Sequence, residues 1–129
     1  MAIDTSAVLF TGPSGSGKSS AALWLLALGG RLVADDGVDC RRVGGSLITS
    51  CPPAISGQIE ARGVGILAAE TQEHAVLRLV VDLGKQEPDR LPPMRETEIL
   101  GVALPVIYGA GNAHLAAAVI QYLKGGRTA

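Results

Sequence analysis

The feature that most constrains this chain is a glycine-rich segment that follows a short apolar run. It matches the pattern G-x-x-x-x-G-K-[ST], and its residues are Gly12, Pro13, Ser14, Gly15, Ser16, Gly17, Lys18 and Ser19. Residues 6–10 before it predict a buried strand, and residues 18–28 after it predict a helix. Between a strand and a helix, such a segment directs backbone N–H groups, a helix N-terminus and a lysine at phosphate oxygens. The sequence therefore predicts a phosphate loop (residues 12–19) that binds ATP with a divalent cation, with the Ser19 hydroxyl in the metal shell.

Two adjacent carboxylates follow one helix later. Asp35 and Asp36 come after Leu32-Val33-Ala34, which we expect to be a short strand. A helix of this length returns the chain beside the first strand, so both carboxylates can reach the nucleotide phosphates. One can bind the cation while the other acts as a general base, and the pattern does not decide which. We expect them to serve chemistry rather than folding, although a solvated Asp-Asp-Gly turn is the simpler alternative.

The remaining pattern predicts the fold class. Gly44-Gly45 predicts a hairpin, residues 63–68 and 75–83 predict strands, and Pro105 marks residues 99–108 as an edge or bulged strand. Asn112 is a candidate N-cap for a last helix that Gly125-Gly126 ends. We expect residues 1–129 to form one α/β domain with a mixed sheet and two main helices.

Residue types also predict which side chains are buried. The first helix is apolar nearly all round, so it should be buried, with Trp24 as a core anchor. Cys40 and Cys51 should be small, buried or half-buried side chains, and they lack partners at metal-ligand spacing. The charged, proline-rich residues 84–98 should form a surface loop, in which Asp89 and Arg90 can pair.

Composition excludes several classes of protein. The chain is 47% hydrophobic with a net charge of −1, so it can form a core and has no excess of cations for nucleic acid. Four aromatic residues, one Phe, one Trp and two Tyr, are too few for a base-stacking surface. The apolar runs are too short to span a bilayer, and neither a leader nor a disulfide framework is evident. We therefore expect a cytoplasmic protein that binds no membrane.

Three motifs in order resemble one family. They are residues 12–19, then Leu32-Val33-Ala34-Asp35-Asp36-Gly37-Val38-Asp39, then Glu60-Ala61-Arg62-Gly63-Val64-Gly65-Ile66, with Pro52-Pro53 and Asp89-Arg90-Leu91 as weaker matches. Together they resemble the HPr kinase/phosphorylase C-terminal catalytic domain, over about residues 6–91. The phosphate loop alone is generic, but the three motifs in this spacing are specific.

The resemblance implies an enzyme that uses ATP and Mg²⁺ or Mn²⁺ to phosphorylate a serine of HPr, the phosphocarrier of the sugar phosphotransferase system. Dephosphorylation of the same serine is also a family activity. The implied catalytic residues are Asp35, Asp36 and Arg62, and the implied metal ligands are Ser19 and Asp36. The implied fold is similar to phosphoenolpyruvate carboxykinase, and the implied assembly is a homo-oligomer.

Some family features are not matched. We expect a short form without the family's N-terminal domain, and neither His74 nor His114 occupies the position of the family's histidine upstream of the phosphate loop. Both histidines should be surface residues. The turn at residues 106–112 lacks the family's arginine. Two alternatives therefore remain: a non-catalytic or weakly active ATP-binding sensory or partner-binding module, and a small-metabolite kinase whose lid arginines would be Arg90 and Arg95.

Overall fold

A mixed seven-stranded sheet and two helices form the fold of the computed structural model, which describes residues 1–35, 37–51 and 57–129. The strands of this sheet are β1 (Ala2–Ile3), β2 (Ser6–Thr11), β3 (Asp39–Val43), β4 (Ser46–Ser50), β7 (His74–Asp82), β8 (Arg95–Ile99) and β9 (Val102–Tyr108). A separate two-stranded sheet contains β5 (Gln58–Ala61) and β6 (Gly65–Ala68), and the helices are α1 (Lys18–Ala27) and α2 (Leu115–Gly125).

The central strand of the large sheet is β7. It is parallel to β2 and β9 and antiparallel to β4, which confirms the predicted mixed sheet. The carboxyl ends of the three parallel strands align, because Thr11 pairs with Asp82 and Asp82 pairs with Tyr108. The phosphate loop leaves the sheet at this edge, directly after Thr11.

A bulge in β7 lets this strand serve two cores. Ala7 pairs with Leu77 and Val8 pairs with Leu79, so Arg78 is the extra residue and lies exposed. Leu77 then packs into the core that contains side chains of β4, β8 and β9, whereas Leu79 packs into the core beneath the helices. The bulge therefore reverses the alternation of side chains along the strand that supports the phosphate loop.

The first helix is less buried than its composition predicts. Leu25 is fully buried and Ala22 nearly so, but Trp24 is 65% exposed and Leu28 is 49% exposed. The prediction of Trp24 as a core anchor is wrong, because α2, β5 and β2 cover only part of α1 and leave its outer face open. Within the residues that the structure describes, no helix is long and apolar enough to cross a membrane.

The segment at residues 99–108 forms parts of two strands. A turn at Leu100 and Gly101 separates β8 from β9, and β9 has β8 on one side and β7 on the other. The prediction of an edge strand is therefore wrong. Pro105 is tolerated because the pairing of β9 with β7 covers only Val106 to Tyr108, so the missing N–H of Pro105 falls where β9 is paired on one side.

Two smaller predictions change in the structure. Residues 32–34 do not form a strand: Arg31 and Leu32 make single bridges, to Ala2 and to Thr71. The N-cap of α2 is His114 rather than Asn112, whose Oδ1 accepts a hydrogen bond from the His114 N–H at 3.0 Å. The hairpin of β3 and β4 and the end of α2 at Gly125 are confirmed.

Candidate functional site

The backbone of the phosphate loop has the geometry that its glycines make possible. Gly12, Gly15 and Gly17 have φ of 145°, 83° and 99°, values that L side chains rarely adopt. At Gly12 there is also no room, because an added Cβ would stand 2.6 Å from Ser16 Oγ. Lys18 Nζ donates a hydrogen bond to the Gly12 carbonyl at 2.9 Å. The loop is thus closed on itself, with the lysine folded over its first residue.

The start of α1 is open to an anion. Its N-cap is Gly17, so no side chain caps the helix, and the first turn contains no acidic residue. The first N–H groups of a helix have no partner within the helix and form a region of positive potential. The Ser16 hydroxyl is buried and has no hydrogen-bond partner among the described residues. Both features fit a loop that receives phosphate oxygens.

Asp35 connects the helix to the small sheet. Its Oδ1 accepts a hydrogen bond from Ser19 Oγ at 3.0 Å, and its Oδ2 accepts one from the Glu60 N–H at 3.0 Å. The structure therefore brings together two of the predicted site residues, Ser19 and Asp35. It also gives Asp35 a structural role, which the expectation of purely chemical carboxylates did not include. Asp36 lies outside the described residues.

One cavity of about 330 Å³ collects most of the predicted site. Arg62, which lies in the turn between β5 and β6, lines it together with Lys18 and Ser19 of the phosphate loop. The full lining is Ser14, Gly15, Gly17, Lys18, Ser19, Ser20, Leu23, Asp35, Glu60 and Arg62. Gly12, Pro13 and Ser16 complete the loop without lining this cavity.

The hairpin of β5 and β6 forms the wall opposite the phosphate loop. The strand predicted over residues 63–68 is confirmed as β6. Sequence reasoning missed β5, because it treated residues 60–66 as a loop. Ile59 and Ala61 are buried, while Val64 and Ile66 are 75% and 70% exposed. The alternation of polar and apolar residues along β5 was the sequence signal that could have identified this strand.

A second cavity, of about 180 Å³, is also lined by Asp35. It shares Lys18 and Asp35 with the first cavity, and its other walls are mostly apolar, including Val8, Val33 and Val38. Asp35 therefore lies between two cavities.

Sequence reasoning also missed a carboxylate at the end of β7. The apolar run Leu79-Val80-Val81 ends at Asp82, next to the strand that leads into the phosphate loop, and this pattern could have indicated it. Asp82 Oδ1 accepts a hydrogen bond from the Gly84 N–H at 2.8 Å, and Lys85 Nζ is 4.0 Å from Asp82 Oδ2. Asp82 lines neither cavity.

The loop after β7 is held by a different ion pair from the predicted one. Arg95 pairs with Glu87, and its guanidinium lies 4.2 Å from the centre of the Tyr108 ring. The hydrogen bond from Arg95 holds the pKa of Glu87 below its usual value. Within the described ranges, no Asp89–Arg90 ion pair is present.

The remaining candidates lie apart from the cavity. His74 and His114 are exposed, as predicted, and Cys40 and Cys51 are half-buried, as predicted. Burial, with a smaller contribution from the Asp39 carboxylate, raises the pKa of the Cys40 thiol.

The site fits a metal that arrives with a nucleotide. Across residues 1–35, 37–51 and 57–129, no three His, Cys, Asp or Glu side chains form a group that could hold a metal ion. The Ser19 hydroxyl and the Asp35 carboxylate are nevertheless adjacent, and oxygen ligands of this kind suit Mg²⁺ when phosphate oxygens supply the rest. The uncapped helix and the closed glycine loop are consistent with such a phosphate group.

A family model and individual relatives that match this chain carry the same family name. The family model described as the HPr Serine kinase C-terminal domain matches residues 1–123. A protein named HPr kinase/phosphorylase from Aromatoleum aromaticum is 41% identical over 133 residues, which cover 88% of this chain and 42% of that protein. One of the same name from Leptospira biflexa is 39% identical, over 77% of this chain and 35% of the relative. The chain thus spans about two fifths of the length of these curated relatives.

A solved structure has the same fold. It is titled the structure of the Hpr(Ser) kinase/phosphatase from Coxiella burnetii, and it superposes with a TM-score of 0.76 at 28% identity. The match covers 95% of this chain and 88% of that one, which confirms the predicted α/β fold with a mixed sheet and two helices. From its motifs, its fold and these matches, the chain belongs to the HPr serine kinase C-terminal domain family.

Proposed function

We propose that residues 1–129 form a catalytic domain that transfers the γ-phosphoryl group of ATP, with Mg²⁺ or Mn²⁺, to a serine of HPr or a close relative of HPr. One observation carries the proposal: Lys18, the Ser19–Asp35 pair and Arg62 face one cavity of about 330 Å³. The names of the relatives from Aromatoleum aromaticum and Leptospira biflexa give the acceptor.

The phosphate loop supplies binding and orientation. Backbone N–H groups of residues 12–19 and the N-terminus of α1 hold the phosphates, and Lys18 exchanges its bond to the Gly12 carbonyl for one to a phosphate oxygen. When bound, a divalent cation would supply positive charge to offset the negative charge on the phosphates during transfer. Ser19 and Asp36 are its proposed protein ligands.

Asp35 is the proposed proton acceptor. It lies between the phosphate cavity and the second cavity, so a hydroxyl that enters by the second cavity meets its carboxylate. The serine oxygen forms a bond to the γ-phosphorus, the bond from that phosphorus to the β–γ bridging oxygen breaks, and the hydroxyl proton passes to the carboxylate. ADP and phosphoserine are the products. The dephosphorylation implied by the resemblance corresponds to the reverse sequence, in which inorganic phosphate accepts the phosphoryl group of phosphoserine.

Arg62 is proposed to stabilise negative charge on the transferred group. It lies on the exposed hairpin turn and lines the same cavity as Lys18, so its guanidinium can reach a phosphoryl group bound there. The metabolite-kinase alternative is less favoured, because Arg95 pairs with Glu87 and stacks on Tyr108, which leaves Arg90 as the unengaged arginine of residues 84–98.

The test is mass spectrometry of HPr after incubation with ATP, Mg²⁺ and this chain. Phosphoserine should appear with the wild type, and should be lost with Lys18→Ala and with HPr whose acceptor serine is replaced by alanine. No phosphoserine at stoichiometric enzyme, with ATP binding intact, would favour the ATP-binding module instead.

A further inference from the structure

The turn after β7, residues 82–85, is in direct contact with the start of the phosphate loop; we name it the Asp82 turn. The Leu83 N–H donates a hydrogen bond to the Thr11 carbonyl at 2.8 Å. The Gly84 nitrogen is 3.2 Å from the position that a Cβ on Gly12 would take, and a Cβ on Gly84 would lie 3.3 Å from Pro13 Cδ. The turn is therefore joined to Thr11 by a backbone hydrogen bond and lies close against Gly12 and Pro13.

The shape of this turn depends on the Asp82 carboxylate. Its Oδ1 accepts a hydrogen bond from the Gly84 N–H at 2.8 Å, which makes an Asx turn, in which a side chain bonds to the backbone two residues on. The Lys85 ammonium at 4.0 Å is 62% exposed, and an exposed ion pair of this kind adds little. The bond to Gly84 is thus the main contact by which Asp82 fixes the turn.

The other side of the Asp82 turn is fixed as well. The Gly109 N–H donates to the Asp82 carbonyl at 2.9 Å, and the Ala110 N–H donates to the Lys85 carbonyl at 3.1 Å. Gly109 itself has no free space, because a Cβ there would lie 2.7 Å from Val81 Cγ1. The turn is therefore held between the phosphate loop and the segment that leads into α2, and it cannot move without moving one of them.

We propose that Asp82 is a positioning residue for the phosphate loop. By holding Gly84 against Gly12 and Pro13, it fixes where the loop leaves β2 and so keeps the loop's N–H groups aimed at the phosphates before the nucleotide arrives. Asp82 itself touches no nucleotide, since it lines neither cavity. The inference rests on the proposed function, because it requires that the loop bind ATP.

Loss of the bond should weaken nucleotide binding, because a less ordered loop must be ordered at the moment of binding. We expect Asp82→Ala to raise the Kd for Mg·ATP about tenfold, the effect of one lost hydrogen bond of average to high strength. Asp82→Asn should bind within about twofold of the wild type, because the Asn Oδ1 can accept the same bond from Gly84.

The experiment is calorimetry of Mg·ATP binding with the full chain and five variants besides the wild type. Gln72→Ala is the matched control, because it removes side-chain bonds to the Asp4 and His74 carbonyls at the opposite end of β7. It should lower the melting temperature and leave the Kd unchanged. Gly84→Ala keeps Asp82 but places a methyl group against Pro13 and the carboxylate, so it should also raise the Kd and serves if Asp82→Ala does not fold.

Wild-type affinity in Asp82→Ala or in Gly84→Ala would overturn the positioning role, as would equal losses in Asp82→Asn and Asp82→Ala. Lys18→Ala, the fifth variant, separates the two proposals. If Lys18→Ala binds as the wild type does, the proposed function fails and the positioning role fails with it. If Lys18→Ala loses affinity and Asp82→Ala does not, the positioning role alone fails.

Discussion

The phosphate loop and the β5–β6 hairpin line the same cavity but are held in different ways. The loop leaves β2, which pairs with β7 along its whole length, and the side chains beneath it, Val8, Leu79 and Val81, are buried. In the described part of the chain the hairpin pairs with itself alone, and a two-stranded sheet is marginal in water. Its attachment comes from Ile59 and Ala61 in the core and from the bond between the Glu60 N–H and Asp35.

This difference divides the expected effects of substitutions. The half of the cavity that would hold the nucleotide is built into the main sheet, so it should be preformed. The half that carries Arg62 depends on a few contacts with α1 and Asp35. Changes in the hairpin should therefore alter phosphoryl transfer more than nucleotide binding.

The largest expected effect comes from removing the attachment of the hairpin. Ile59→Ala should lower the free energy of unfolding by about 2–5 kcal/mol, because Ile59 is fully buried against the core beneath the helices. Ile66→Ala, on the exposed side of the same hairpin, should change it by less than about 0.5 kcal/mol. Urea unfolding measures both. Equal effects would show that the hairpin is not attached through β5.

The next largest effect concerns Asp35, which joins the phosphate loop and helix α1 to the β5–β6 hairpin. Asp35→Asn should reduce transfer to HPr at least about 100-fold, the low end for loss of a general base. It should also lower the free energy of unfolding of the ATP-free protein by about 1 kcal/mol, because one of the two accepted hydrogen bonds is lost. This departs from the sequence-based expectation that the two carboxylates serve chemistry rather than folding.

Asp4→Asn is the control for Asp35→Asn, since Asp4 is exposed in a turn and its φ of 52° is tolerated by asparagine. It should change neither transfer nor stability. Intact transfer in Asp35→Asn, together with lost stability, would make Asp35 a structural residue alone.

A smaller effect is expected at the hairpin turn. Arg62→Ala should reduce transfer about tenfold, the lower range for one charge-assisted hydrogen bond, while the Kd for Mg·ATP changes less than about twofold. Arg41→Ala, which removes an exposed arginine of β3, should change neither. Steady-state kinetics and calorimetry together provide the test. A loss of Mg·ATP affinity that matches the loss of transfer would mean that the hairpin contributes to nucleotide binding.

The smallest effect concerns the loop after β7 and depends on pH. Arg95 holds the pKa of Glu87 below its usual value of 4.5, so the pair stabilises the fold above that pH and loses its effect as the pH falls through the lowered pKa. The melting temperature of Glu87→Gln should be slightly below that of the wild type at pH 7, and the gap should close in acid below about pH 4.5. ATP affinity at pH 7 should not change. A gap that widens in acid would contradict the assignment.

Local signals explain why much of the fold could be predicted. Gly44-Gly45 between two β-rich runs predicts a hairpin whatever surrounds it, and Gly125-Gly126 ends a helix for the same local reason. The exposure of Trp24 and the internal place of β9 could not be predicted in this way. Whether an apolar residue is covered, or a strand has a second neighbour, depends on segments far away in the sequence.

The sequence by itself determined the phosphate loop, the family and the α/β class, because a glycine pattern and the order of three motifs are properties of the chain that need no neighbours. The tertiary structure alone decided that Asp35 bonds both Ser19 and β5, that Arg62 and Lys18 line one cavity, and that the Asp82 turn lies against Gly12. These contacts join residues that are 16 to 72 positions apart, as Asp35 lies 16 residues from Ser19 and Gly84 lies 72 from Gly12. Such contacts form only when the sheet places distant strand ends at one edge, which no local preference can specify.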